Sequence, residues 1–366
     1  MESAPTPPDH VRARLEALVR GARTPAVQYV VLDATHDLFA HAAGWADIRR
    51  REPMDTATTL MAYSMSKPVT AAAVLQLVEA GRVELDRPVV EYVGSLPYRS
   101  GITVRQLLAH TSGLPNPIPL RWVHAASGHA TFDERDALAR VLAAHPRLAA
   151  RPGTRYAYSN LGYWLLGRVV EEVSGASFSS YVSEQVLRPL GIPRAELAYA
   201  IPDPARQATG YLEKYSLTNL VKGLLIDRDL VGEYDGRWLS LRSHYVNGPA
   251  FGGLVGSARG FARFLRDQLS PRSRLFGETT RNLFYSPQSL GSGKPIPMTL
   301  GWHVGDLGGI RTFFKEGGGG GFHSMMRLYP DQAIATVMMA NATGLDVGKV
   351  LDALDGAFLH GPGSSR

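Results

Sequence analysis

Residues 62–81 read AYSMSKPVTAAAVLQLVEAG, and their reading decides the fold. The apolar spacing predicts a helix from about Ser66 to Ala80, closed by Gly81. Pro68 fits only the first turn of that helix, where its missing N–H costs nothing. Ser64 therefore falls at or just before the helix N-terminus. Ser64-Met65-Ser66-Lys67 is an S-x-x-K, and positions i and i+3 share a helix face, so Lys67 can reach the Ser64 hydroxyl. A serine hydroxyl is a weak nucleophile and needs a neighbouring base. Lysine can serve when burial and nearby positive charge lower its pKa. The helix N-terminus also offers N–H groups to a developing oxyanion. The competing structural reading is a capping serine beside a solvated lysine.

Working outward, residues 9–20 have helical spacing, with Val11, Leu15, Leu18 and Val19 on one face. Residues 26–32 are β-rich, and 38–44 can pair with them as a hairpin. The middle of the chain reads as helices at 103–109, 134–144, 161–174 and 177–188, with Thr103 and Asp133 as N-caps. Residues 200–250 have weak periodicity and receive no assignment. After Gly252, Gly253 and Ser257 comes an amphipathic helix at 259–269. Strands at 311–316, 322–329 and 333–340 follow, and a helix at 345–358 closes the chain. This order predicts an α/β (α+β) protein. Residues 1–84 and 246–366 would form a discontinuous sheet domain, residues 85–245 a mostly helical domain, and the active site would lie in the cleft between them.

Two further motifs can carry chemistry. Tyr158-Ser159-Asn160 precedes an apolar helix; a phenol near two ammonium groups can be depressed toward phenolate and relay protons. Its structural alternative is a buried tyrosine and a helix-capping asparagine. Lys315-Glu316-Gly317 runs into Gly318–Gly321 at the end of a strand. A lysine there can face the nucleophile while the next backbone N–H completes an oxyanion hole. Its alternative is a glycine-rich hairpin with a solvated lysine. A phosphate-cradling loop is not expected, because no G-K-[ST] follows.

Composition narrows the chemistry. The 366 residues are 45% hydrophobic and 20% charged, which excludes intrinsic disorder and collagen-like repeats. There is no cysteine, so disulfides, thiolate nucleophiles and cysteine-ligated zinc are excluded. The net charge of +6 rests on scattered arginine, with only six lysines, and reads as arginine-rich composition rather than a nucleic-acid surface. The 11 histidines show neither H-x-H nor H-E-x-x-H spacing, so no metal is expected, and His110 reads as a turn residue bonded to backbone. No G-x-S-x-G elbow is present. Tyr63 and the 200–250 segment are candidates to line an acyl pocket. The first residues do not read as a signal peptide and no window approaches 18 apolar residues; a cytoplasmic protein without a membrane partner is expected.

Each motif is weak alone. In the order S-x-x-K, Y-x-N, K-x-G they make the chain resemble the serine β-lactamase and penicillin-binding-protein superfamily, and within it the class C β-lactamase-like hydrolases that include family VIII carboxylesterases. LLAHTSGLP at 107–115, the 151–175 stretch beginning RPGTRYAYSN, LRPLGI at 187–192 and GGLVGSARGFARFL at 252–265 agree, so the resemblance runs from about residue 10 to 358. It implies a β-lactamase/transpeptidase-like fold, an antiparallel sheet flanked by helices plus a mostly helical domain. It implies Ser64 as nucleophile, Lys67 and Tyr158 as the proton-transfer pair, Asn160 as orienter of Lys67 or substrate, and Lys315 as their electrostatic tuner. The N–H groups of Ser64 and Gly318, beside Gly317, would form the oxyanion hole. No cofactor is implied.

One position departs from the family pattern. The middle residue of K-[ST]-G carries a hydroxyl that helps bind a substrate carboxylate, and here it is Glu316. Carboxylate facing carboxylate is unfavourable, so anionic β-lactams should bind poorly unless Glu316 turns away to pair with an arginine. The expected function is therefore a serine hydrolase cleaving carboxylic esters, with a small ester or amide as its partner. D-amino-acid peptidase, amidase or β-lactamase activity, acyl transfer, and a non-catalytic binding module on the same scaffold stand as alternatives. These motifs do not specify an oligomeric state.

Overall fold

Both ends of the chain meet in one sheet. The computed structural model describes residues 7–98, 101–117, 122–220, 222 and 227–359. Strands β1 (Ala26–Leu32), β2 (Asp37–Asp47) and β3 (Glu52–Pro53) come from the early chain. Strands β4 (His303–Leu307), β5 (Ile310–Gly319), β6 (Phe322–Tyr329) and β7 (Ile334–Ala340) come from the late chain. The order across the sheet is β4-β5-β6-β7-β1-β2-β3, every neighbour antiparallel. The β7–β1 pair joins the two halves, with Val27 opposite Ala340 and Leu32 opposite Ala335.

β1 is buried along its whole length because the sheet is covered on both faces. Alternate residues go to opposite sides. Val27, Tyr29 and Val31 pack with helices α1 (Pro7–Arg20) and Val347–Leu354. Val30 and Leu32 pack in the larger core with the helix Ala258–Leu269. Gln28 is buried among them, and its side chain donates to the carbonyls of Asp55 and Thr58 while accepting from the Ala258 N–H.

The stretch at 62–81 folds as its spacing predicts. A single 3₁₀ turn at Tyr63–Met65 leads into α2 (Ser66–Glu79), with Pro68 in the first turn. Gly81 takes φ +67° just past the end. α2 is buried on nearly all sides and tied to the 250–254 segment: Ser66 Oγ accepts from the Leu254 N–H, and Thr70 Oγ donates to the Ala250 carbonyl.

The expected N-caps are in place. Thr103 forms a capping box with Gln106 at the start of Val104–Leu108, and Asp133 accepts from the Asp136 N–H at Glu134–Ala144. The helix Asn160–Ser174 is capped by Ser159, not by Asn160, which leaves the Asn160 side chain for other work.

Other segments differ from the expectation. Within 85–245, Val123–Ala125 pairs with His244–Val246, and Gly210–Glu213, Trp238–Leu241 and Val231–Asp235 form a three-stranded sheet. Strands of three to five residues are too short for a periodic signal, and apart from the 231–241 hairpin their partners are distant in sequence. The helix Glu278–Tyr285 and strand β4 were likewise not anticipated. β5 continues through Gly317, Gly318 and Gly319, which pair with Ser324, His323 and Phe322; glycine adds nothing to an apolar pattern, but its backbone still pairs. Among the described residues, no helix is long and apolar enough to cross a membrane.

Candidate active site

Ser64 sits in the tight turn before α2, and the residue before it is strained. Tyr63 has φ +47°, a left-handed conformation that is uncommon for a tyrosine. Its ring is held down by its hydroxyl, which lies 2.8 Å from His244 Nε2 and donates to the Gly320 carbonyl at 3.0 Å. The glycine-rich part of β5 runs directly against this turn. A Cβ on Gly317 would lie 2.1 Å from the Ala62 carbonyl oxygen and 3.1 Å from the Ser64 nitrogen, so only glycine lets the strand approach so closely.

Lys67 is fully buried one turn further on. Its Nζ lies 2.9 Å from Ser64 Oγ, 2.7 Å from Asn160 Oδ1 and 2.7 Å from the Phe251 carbonyl oxygen. Burial, and then the positive charge of Lys315, hold its pKa well below the usual lysine range. A neutral amine has two N–H donors and one lone pair. The two carbonyl-type oxygens take the donors, so the lone pair faces the Ser64 hydroxyl.

Tyr158 donates to Ser64 Oγ at 2.6 Å. Its ring is flanked by both lysines, with Lys67 Nζ 4.9 Å and Lys315 Nζ 4.6 Å from the centroid. The expectation of a phenol depressed toward phenolate is not met. Burial raises the Tyr158 pKa, because it disfavours the phenolate and both ammonium groups together. Lys315 is buried too, and burial pushes it down to about 7 against a small opposing effect of Glu316. Burial thus favours the neutral forms of Lys67 and Tyr158 and leaves Lys315 able to carry or lose its charge near pH 7, and the three titrate as a coupled set.

His110 acts as the turn residue expected of it. It has φ +56°, its Nδ1 accepts from the Ser159 N–H at 3.2 Å, and its ring lies 4.4 Å from that of Tyr158. Burial keeps it neutral. His303, which accepts no proton until about pH 3 for the same reason, lies 3.1 Å through Nε2 from the Tyr156 hydroxyl.

Glu316 points to the opposite side of β5 from Lys315 and is half exposed. Its partner is not an arginine but His323, whose Nε2 lies 2.5 Å from Oε1, and this contact holds the Glu316 carboxyl below its ordinary range.

A cavity of about 380 Å³ opens on Ser64. Ser64, Asn160 and Gly318 line it on one side; Leu212, Leu230, Leu241, Val246 and Phe251 give it an apolar wall. Tyr63 and the 200–250 segment line it as their sequence suggested. Trp164, Trp302 and Phe322 are core residues. Sequence reasoning missed two contributors, His244 and the Phe251 carbonyl. A signal for the second was present in the Gly252-Gly253 pair, since a Cβ on Gly252 would touch the Tyr63 backbone at 3.4 Å. Among the described residues no cluster of three or more histidines or carboxylates could hold a metal ion.

Residues 11–358 match the family model described as Beta-lactamase. Penicillin-binding protein 4* of Bacillus subtilis is 26% identical over 312 residues, covering 83% of this chain. A D-aminopeptidase of Cereibacter sphaeroides is 31% identical over 210 residues, covering 56% of this chain. The chain spans 65% and 39% of the lengths of these two relatives. In fold it is similar to the octameric penicillin-binding protein homologue from Pyrococcus abyssi, with a TM-score of 0.78 at 21% identity over 96% of this chain and 77% of that one.

Proposed function

The chain belongs to the Beta-lactamase family of serine hydrolases, and on that premise we propose that it cleaves neutral carboxylic esters through an acyl-enzyme on Ser64. The observation that carries the reading is the cavity beside Ser64: among the described residues that line it, none is Asp, Glu, Lys or Arg. An uncharged apolar acyl group fills such a space by burying its surface, whereas a carboxylate or ammonium would lose its hydration there without a partner.

The chemistry follows from the neutral resting forms. Ser64 Oγ attacks the ester carbonyl carbon as its proton passes to the Lys67 amine. The tetrahedral oxyanion faces the N–H groups of Ser64 and Gly318. Collapse breaks the bond to the alcohol, which leaves with a proton supplied through the Lys67–Tyr158 pair. Water then attacks the acyl carbon, gives its proton to the same pair, and the acid departs as Ser64 Oγ regains its hydrogen. Lys315, close above the Tyr158 ring, sets the local charge during these transfers. Replacing the attacking water by an alcohol would make the same cycle an acyl transfer.

Amide or peptide cleavage is the second reading. It is favoured by the similarity to a D-aminopeptidase. An aryl hexanoate, a D-amino-acid amide and a cephalosporin compared side by side discriminate the two. The ester is expected to have the highest kcat/KM by about tenfold or more, roughly the worth of one or two well-buried methylenes. Faster amide turnover would install the second reading. A fluorophosphonate adduct on Ser64, absent from Ser64→Ala, tests the nucleophile, and no adduct on the parent would point to a binding module.

A further inference from the structure

A second cavity, of about 700 Å³, lies apart from the Ser64 cavity; among the described residues the two share only Val246 in their linings. One wall is a stack of rings. His124 lies on Phe132 at 3.8 Å between centroids, and His129 lies on Tyr245 at 3.9 Å. The lining also holds two polar groups whose bonding is incomplete. The Tyr199 hydroxyl is buried and has no hydrogen-bond partner among the described residues. Glu134 accepts one hydrogen bond, from Trp164 Nε1 at 2.9 Å, and makes no ion pair among the described residues. The nearby Arg168 is already engaged by Glu171 and Glu172. At the rim, Arg188 is paired with Glu184, and Arg194 is exposed.

We propose that this cavity is a binding site for an amine cation with an aromatic or apolar body, the ammonium paired with Glu134 and hydrogen-bonded to the Tyr199 hydroxyl oxygen, the body lying along the His124–Phe132–Tyr245 wall. Native interiors seldom leave a buried hydroxyl unpartnered or a carboxylate without a cation. One ligand of this chemistry satisfies both, and ring faces favour a cation beside them. The carboxyl of Glu134 is raised to about 7 by burial and then by Glu171, and the Trp164 hydrogen bond and the charges of Arg168 and Arg135, which make no ion pair with it, offset this only in part. An ammonium would restore its ionised form. A carboxylate ligand would meet Glu134 instead, and a neutral one would leave its charge unpaired.

The test uses the full chain as Ser64→Ala, so that acyl chemistry is absent. It is titrated with 2-phenylethylamine, 2-phenylethanol and phenylacetate, followed by calorimetry and by tryptophan fluorescence, since Trp164 is bonded to Glu134. Saturable amine binding is expected, with both other probes weaker by about tenfold or more, as expected for a desolvated charge pair. Glu134→Gln should weaken the amine by a similar factor. Tyr199→Phe, which removes only an unpartnered oxygen, should weaken it by about threefold with no loss in melting temperature. The proposal is overturned by the lack of saturation up to roughly 10 mM amine, or by parent-like affinity in Glu134→Gln. If Glu134→Gln does not fold, parent-like affinity in Tyr199→Phe overturns it.

Discussion

Lys67 Nζ stands 2.9 Å from Ser64 Oγ, and its two other contacts are both oxygen acceptors. The pair works only if the amine can be neutral. A guanidinium stays charged and would donate in every direction. Lys67→Arg is therefore expected to lower ester kcat by about 10²- to 10⁴-fold, the usual worth of a positioned base. Near-parent turnover in that variant, measured with an aryl ester, would remove Lys67 from the proton path.

Gly317 carries its importance in what it lacks. A methyl group there would drive into the Ala62 carbonyl and the backbone of the Ser64 turn. Gly317→Ala should destabilise by about 1–3 kcal/mol, as overpacking does, and should cut kcat more than Gly318→Ala, whose Cβ would meet only the His323 ring at 3.4 Å. Urea unfolding together with ester kinetics separates the two effects.

Buried lysines make stability depend on pH in a definite direction. Lys315 has a folded pKa of about 7 against an ordinary value of 10.5, so between these values the unfolded chain binds more protons than the native one. Stability must rise with pH through this window, and the cost is greatest below its lower edge. Lys67 adds in the same sense. Lys315→Met should flatten the rise between about pH 7 and 9, as linkage requires. A parallel pH profile for parent and variant, from urea midpoints, would mean that the Lys315 pKa is not depressed in solution.

Glu316 is expected to have little effect on charge selection. It is half exposed, turned away from Lys315 and paired with His323, and it does not line the Ser64 cavity. Glu316→Thr should therefore change the ratio of cephalosporin to neutral-ester kcat/KM by less than about threefold, as a solvated charge does. A rise of about tenfold or more would bring the carboxylate into contact with bound substrate.

Leu241 tests the acyl cavity. Leu241→Phe shortens the space it lines beside Ser64. Acetate esters should be cleaved nearly as before, while hexanoate esters lose about tenfold or more, the scale on which hydrophobic pockets sort methylenes. Equal losses on both would show that the chain does not lie there.

Much of this was legible in the sequence because it is local. Pro68 and Gly81 bracket α2, Thr103 and Asp133 announce their helices, and the i, i+3 spacing of Ser64 and Lys67 carries directly into contact. What was not legible depends on burial. Two ammonium groups near a phenol suggested a lowered Tyr158 pKa, but the surroundings exclude water, and exclusion acts on all three groups at once. The His244 contribution came from a three-residue strand whose partner lies over a hundred positions away, a pairing no periodicity signals. The asparagine at 160 could have been a cap; only the structure gives that task to Ser159.

The joining of β1 to β7 also has a consequence in time. Leu32 cannot meet Ala335 until some three hundred further residues have left the ribosome, roughly the separation of the two positions. At about 5–20 residues per second, the early hairpin waits on the order of tens of seconds for its central partner. The Ser64 turn is synthesised early, but the strand that presses Gly317 against it arrives late, so the reactive centre cannot assemble until that strand has emerged. Acyl-probe labelling of stalled nascent chains should begin only once β5 and β7 have emerged.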